Sequence, residues 1–141
     1  MPDQSSHGPQ LEHLRVADCM HLGVLTCSAA TPLVEVAAIM TKHRVHAVAV
    51  IDDKRRPIDV VSALDVVAAA SSGKLSVTAR VAAATEPLIT ISADAPLDRA
   101  AKLMTRHRVH HLIVVDPPNG SPVGILSTLD IAALVAENSE R

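Results

Sequence analysis

Met40-Thr-Lys-His-Arg-Val-His-Ala-Val-Ala-Val-Ile-Asp52 returns 64 positions later as Met104-Thr-Arg-His-Arg-Val-His-His-Leu-Ile-Val-Val-Asp116, with eight of the thirteen positions identical. Repetition at that fidelity marks a duplicated structural unit. A unit of about 60 residues buries too little surface to be secure alone, so the two copies are expected to pack on each other. The seam between two similar halves is also a natural place to hold a small molecule.

Upstream of each stretch, Val24-Leu25-Thr26-Cys27 and Leu88-Ile89-Thr90-Ile91 read as short strands, and Pro32 and Pro96 as helix starts. Leu33, Val36, Ala37 and Met40 then fall at i, i+3, i+4 and i+7 of one helical face, as do Leu97, Ala100, Ala101 and Met104. Cations close both helices (Lys42, His43 and Arg44; Arg106, His107 and Arg108), where they complement the C-terminal dipole. Residues 47–51 and 112–115 are continuous apolar runs, which predicts central strands covered on both faces. Downstream, Ile58-Asp-Val-Val-Ser-Ala-Leu-Asp65 aligns with Val123-Gly-Ile-Leu-Ser-Thr-Leu-Asp130, a third strand running straight into a second helix. The predicted fold class is therefore α/β (α+β): two tandem β-α-β-β-α repeats packed sheet to sheet about a pseudo-twofold axis. The expected boundaries are a flexible N-terminal tail over 1–13, a first repeat over 14–73 and a second over 74–138, connected at Ser71-Ser-Gly-Lys74.

At 141 residues the chain has the size of one ordinary domain, which the two copies must form together. Its composition is 48% hydrophobic, yet Phe, Tyr and Trp are all absent, so the core is built from Val, Leu, Ile, Ala and Met. Without aromatic stacking platforms, and with a formal charge of −2, the chain is not expected to bind nucleic acid. Charges such as Asp65 and Lys102 interrupt every apolar stretch, so no membrane segment is expected either. Cys19 and Cys27 lack a CxxC spacing and follow no secretory signal, which predicts free thiols in a cytoplasmic protein. A mean hydropathy of +0.27 suggests extra buried surface, most simply a homodimer interface.

Two sets of residues can carry chemistry. Ser62 with Asp65, and Ser127 with Asp130, form Ser-x-x-Asp pairs at strand-to-helix junctions. A Ser N-cap with an acid three residues on is a capping box, and that structural reading is the stronger one. The functional reading is that a carboxylate at the open end of a strand accepts both hydroxyls of a ribose, beside helix amides suited to phosphate. The His-Arg-Val-His runs are the second set: His43 and His107 read as solvated helix ends, whereas His46, His110 and His111 enter the buried strands, either as satisfied core groups or as donors to a phosphate. A metal site on the paired HxxH spacings is the weakest of these readings, because no Cys or acid stands at ligand spacing beside them. Neither a nucleophile-base-orienter set nor a GxGxxG or GxxxxGK[ST] loop occurs, so catalysis is not expected.

The duplicated unit, the apolar strand ending in Asp and the strand-Ser-x-x-Asp-helix junction together resemble the cystathionine-β-synthase (CBS) domain family, over about residues 16–136. Two such repeats in tandem look like a Bateman module. The resemblance implies a stand-alone sensor whose clefts take an adenosine-containing ligand (AMP, ADP, ATP or S-adenosylmethionine) as a regulatory ligand rather than a cofactor, and whose binding biases the state of an unknown regulated protein. By the same resemblance Asp65 and Asp130 match the ribose-binding acid. Ser62 and Ser127 match the hydroxyl beside it, with Thr128 a further donor, and His46, His110 and His111 match a nucleotide-contacting position that often includes a basic phosphate contact. Ala47, Val48, Val60 and Ile125 match apolar contacts to adenine, and Thr26 and Thr90 polar contributors from the first strand. Two departures predict unequal clefts, the one using Asp130 being the better binder. The first copy has Asp59, an extra anion near its cleft, where the second has Gly124, and Ala47 where the second has His111. If the His side chains meet phosphate, affinity is expected to strengthen as pH falls through about 6.5. The alternatives are a structural dimerisation module with vestigial clefts, and a His-based metal-binding stress protein.

Overall fold

In the computed structural model, which describes residues 11–83 and 87–139, the chain forms two sheets and five helices. The first sheet has the order β2-β3-β4, with β2 Thr26–Ser28, β3 Ala47–Ile51 and β4 Pro57–Ser62. The second has the order β1-β7-β6-β5, with β1 His21–Leu22, β5 Thr90–Ser92, β6 His111–Val115 and β7 Pro122–Ser127. The apolar runs β3 and β6 lie inside their sheets, each flanked by one parallel and one antiparallel neighbour. Helices α1 Leu33–His43 and α4 Leu97–His107 start immediately after Pro32 and Pro96, and α2 Ala63–Ser71 and α5 Thr128–Ser139 follow the third strand of each copy. The short α3, Ala79–Ala82, lies between the copies in sequence.

Strand alternation divides the core into three layers. Val48 and Val50 face the helices with Leu33, Val36 and Met40; Leu112 and Val114 do the same with Leu97, Ala100 and Met104. The opposite faces meet: Ala47, Ala49, Val60 and Ile113 form a buried layer between the sheets, with Val24, Leu88, Val115 and Ile125 around it. The expected sheet-to-sheet packing of two repeats is thus observed, and aliphatic side chains suffice to fill it.

The helix ends are built alike. Arg44 and Arg108 both adopt the left-handed conformation, with φ of 55° and 54°, after which the chain re-enters the sheet. The carbonyls of His46 and His110 then accept from Ala63 N at 2.8 Å and Thr128 N at 2.9 Å, tying each His-Arg-Val-His run to the start of the next helix. Asp52, which ends the first repeated stretch, closes the β3–β4 turn by accepting from the amides of Arg56 and Lys54 and from Arg56 Nε. These bonds, the Arg56 amide foremost, hold its carboxyl below the usual range.

Each copy takes its leading segment from the other. β1 pairs antiparallel with β7 of the second copy, and Val16 N donates to Ala95 O at 2.9 Å. Conversely, Leu33 N donates to Val77 O and Ala79 N to Thr31 O, so the segment leading into the second copy packs on the first. Of the tail expected over 1–13, residues 1–10 lie outside the described residues. Leu11–His13 is a 3₁₀ turn rather than free chain, because Leu11 and Leu14 pack against the second core.

Cys27 is buried in the first core, and burial pushes its thiol from the ordinary 9.0 up to about 11. The folded protein resists losing this proton while the unfolded chain loses it near 9. Its contribution is therefore fully present below that pH and fades as pH rises toward 11. Unfolding titrations are expected to show stability falling by up to about 1.4 kcal/mol per pH unit across that window, with the slope absent in Cys27→Ala.

Candidate functional site

Register places the site residues. β6 pairs with β7 so that His111 faces Ser127 and Ile113 faces Ile125, and β3 pairs with β4 so that Ala47 faces Ser62. The open ends of both sheets therefore carry a Ser, a helix start and a carboxylate side by side. Ser127 N donates to Asp130 Oδ2 at 2.8 Å and Asp130 N to Ser127 Oγ at 3.2 Å. Ser62 N donates to Asp65 Oδ2 at 2.8 Å, Ser62 Oγ to the same oxygen at 3.2 Å, and Asp65 N to Ser62 Oγ at 3.3 Å. Both pairs are thus capping boxes.

Beyond the cap the two carboxylates differ. Asp65 is 2% exposed and borders a shallow opening of about 220 Å³ with Lys74, Ser72 and Val81. Asp130 borders a cleft of about 450 Å³, and its Oδ1 lies 2.6 Å from His21 Nε2. That cleft is assembled from both copies: Asp130, Ser127, Ile125 and His111 form one wall, and His43, Arg44, His46 and Ala47 the other. Leu22, Gly23 and Leu25 contribute from the N-terminal segment. The carboxylate suited to a diol therefore shares a partly apolar cleft with four imidazoles, those of His21, His43, His46 and His111, and with the Arg44 guanidinium. Positions 85–87 stand, by alignment of the copies, where His21–Gly23 stand here; 85 and 86 lie outside the described residues.

Of the residues expected at a ligand site, Asp130, Ser127, Ile125, His111, His46 and Ala47 come together in this cleft. Thr128, His110 and Ser62 line instead a central groove of about 400 Å³, shared with His46, His111 and Ser127 near the pseudo-twofold. His46 and His110 precede their strands and are exposed, so neither enters the buried strand as expected. Val48 is fully buried on the helix side of β3 and has no access to adenine, because it alternates with Ala47. Val60 is sealed in the layer between the sheets, and neither Thr26 nor Thr90 lines these cavities. Among the described residues no group of three or more His, Cys, Asp or Glu is placed to hold a metal ion, and no helix is long and apolar enough to cross a membrane.

Sequence reasoning missed His21, His43 and Arg44. The last two stand in the repeated stretch, and their position just before the strand was signal enough. His21 carried no signal, because its partner strand lies about 100 positions downstream and no local period encodes that pairing. The same pairing explains Gly124. A Cβ there would stand 2.5 Å from the His21 carbonyl oxygen and 3.0 Å from Met20 Sδ, so only glycine admits β1. Close by, the Cys19 thiol is raised, by burial first and then by the charges of Asp130, Asp18 and Glu137.

Comparison with known proteins agrees with this architecture. An uncharacterized protein of Methanopyrus kandleri is 31% identical over 124 residues, 86% of this chain; the match spans 62% of that relative's length. A CBS domain protein from Pyrobaculum aerophilum, solved in complex with AMP, superposes with a TM-score of 0.78 at 28% identity, covering 91% of this chain and all of that one. A CBS domain pair solved with 5'-methylthioadenosine and S-adenosyl-L-methionine has a TM-score of 0.76 at 24% identity, covering 86% and 94% of the two chains, and shows the shared fold. The model of the CBS domain matches residues 16–72 and again 79–137, and the chain belongs to the CBS domain family as a tandem pair.

Proposed function

We propose that this CBS pair is a regulatory module that binds an adenosine-containing ligand in the Asp130 cleft and transmits occupancy to a partner protein rather than catalysing a reaction. The observation that carries this reading is the composite cleft itself. Asp130 supplies a carboxylate for a ribose diol from one copy, while Arg44 supplies a cation and His43 and His46 supply ring nitrogens for phosphate from the other. Ala47, Ile125 and Leu25 offer an aliphatic surface for the base. AMP bound to the Pyrobaculum aerophilum relative supports the ligand class. The free thiols Cys19 and Cys27 fit a reducing, cytoplasmic setting.

Titration with AMP, ATP and S-adenosylmethionine tests the proposal. At a concentration about 100-fold above Kd, a binding ligand adds about 2.7 kcal/mol and raises the thermal midpoint by about 5–10 °C. A midpoint unmoved by all three at millimolar concentration refutes it. A structural module with vestigial clefts is the second reading, favoured by the burial of Asp65 within its capping box.

The module is further proposed to work as a homodimer through the faces of α2 and α5. Leu64, Val67 and Leu129 are 59%, 60% and 70% exposed there, an apolar patch that a second copy presenting the same face would cover. Leu129→Asp is expected to halve the mass measured by light scattering, and an unchanged mass places the contact elsewhere.

A further inference from the structure

Within the cleft Asp130 already has a protein partner. His21 Nε2 lies 2.6 Å from Asp130 Oδ1, while Oδ2 is taken by the Ser127 amide. A diol that used this carboxylate would need Oδ1, the oxygen His21 holds. The two side chains are unequal in freedom: Asp130 is 12% exposed and fixed by its cap, whereas His21 is 76% exposed. The backbone beneath His21 is anchored, since His21 pairs with Ile125, Leu22 pairs with Gly124, and Gly23 N donates to Val123 O at 3.0 Å. Release therefore requires only side-chain rotation into solvent, with β1 staying in the sheet.

We propose that His21 is a built-in competitor for the ribose position of Asp130, holding the cleft closed when protonated and yielding to ligand when neutral; this rests on the nucleoside reading of the cleft given above. A neutral imidazole offers Asp130 one ordinary hydrogen bond, and an imidazolium offers a charge-assisted bond that a neutral diol must displace. Acidification thus opposes binding of the nucleoside part of the ligand.

The other titratable and charged groups around the pair are His43, Arg44 and His46 ahead of β3, His111 on β6, and Asp18, Cys19 and Glu137 beside Asp130. Protonation of His43, His46 and His111 favours a phosphate, the opposite sign to the His21 effect. A ligand without phosphate separates the two. Adenosine is therefore the probe, titrated calorimetrically at about pH 5.5 and about pH 8, on either side of the window in which imidazoles change charge.

Wild type is expected to bind adenosine about three- to fivefold more weakly at the lower pH. His21→Ala is expected to bind about three- to fivefold more tightly than wild type at that pH, with a flat profile. His21→Gln, which keeps a donor but cannot charge, should lie between the two and also be flat. Binding by His21→Ala alone would equally establish His21 as the competitor. Equal affinities, or a pH dependence that survives both substitutions, overturn the competition while leaving the nucleoside site intact. Failure of every variant to bind adenosine or AMP at either pH overturns the proposed function and this inference with it.

Discussion

Asp130→Ala is expected to weaken an adenosine-containing ligand by about 100-fold and to erase its thermal shift, while costing the apo protein only about 1 kcal/mol. The carboxylate caps α5 through Ser127 and borders the 450 Å³ cleft. Losing a cap costs about 1 kcal/mol. Losing two charge-assisted bonds to a diol costs about 3 kcal/mol, which is roughly 100-fold in Kd. Asp65→Ala should behave in the opposite way. Asp65 is 2% exposed and accepts from both the amide and the hydroxyl of buried Ser62. Removing it strips a buried network of its acceptor and is expected to cost about 2–3 kcal/mol of stability, with binding at the Asp130 cleft within about twofold of wild type. Denaturant unfolding and calorimetric titration on both variants check the contrast. A ligand shift that survives Asp130→Ala removes the carboxylate from the site.

Gly124→Val is expected to destabilise the fold by about 2–3 kcal/mol and to disorder the Asp130 cleft. The added Cβ falls 2.5 Å from the His21 carbonyl oxygen, which is backbone and cannot rotate away. β1 must then move off β7, taking Leu22 and His21 from the wall of the cleft. Asp59→Val at the matching position of the first copy is the control. Asp59 is half-buried, and its carboxylate accepts from the amide of Val60. The control is expected to stay within about 1 kcal/mol of wild type by urea unfolding. Equal losses in the two variants would mean that Gly124 is not what admits the crossing strand.

Asp59 and Gly124 also mark where sequence reasoning reached its limit. Their difference predicted unequal clefts, but the reason assigned, an extra anion in the first copy, is not the one the fold reveals. Gly124 is where a segment from the other end of the chain crosses the sheet. Similarly, His43 and Arg44 looked like dipole compensation at a helix end. They also line a cleft whose acid comes from the other copy.

Residue spacing was enough to read the duplicated β-α-β-β-α unit, the two proline-started helices, the inner strands and the capping boxes. The helices and capping boxes rest on contacts between residues a few positions apart and the inner strands on unbroken apolar runs, so spacing and side-chain type specify them. Folding adds the exchange of leading segments between copies, the pairing of His21 with Asp130 and the placing of Arg44 in the same cleft as the opposite copy's carboxylate. Those contacts depend on long-range strand pairing and on how two sheets turn against each other. No local periodicity in the chain records either one.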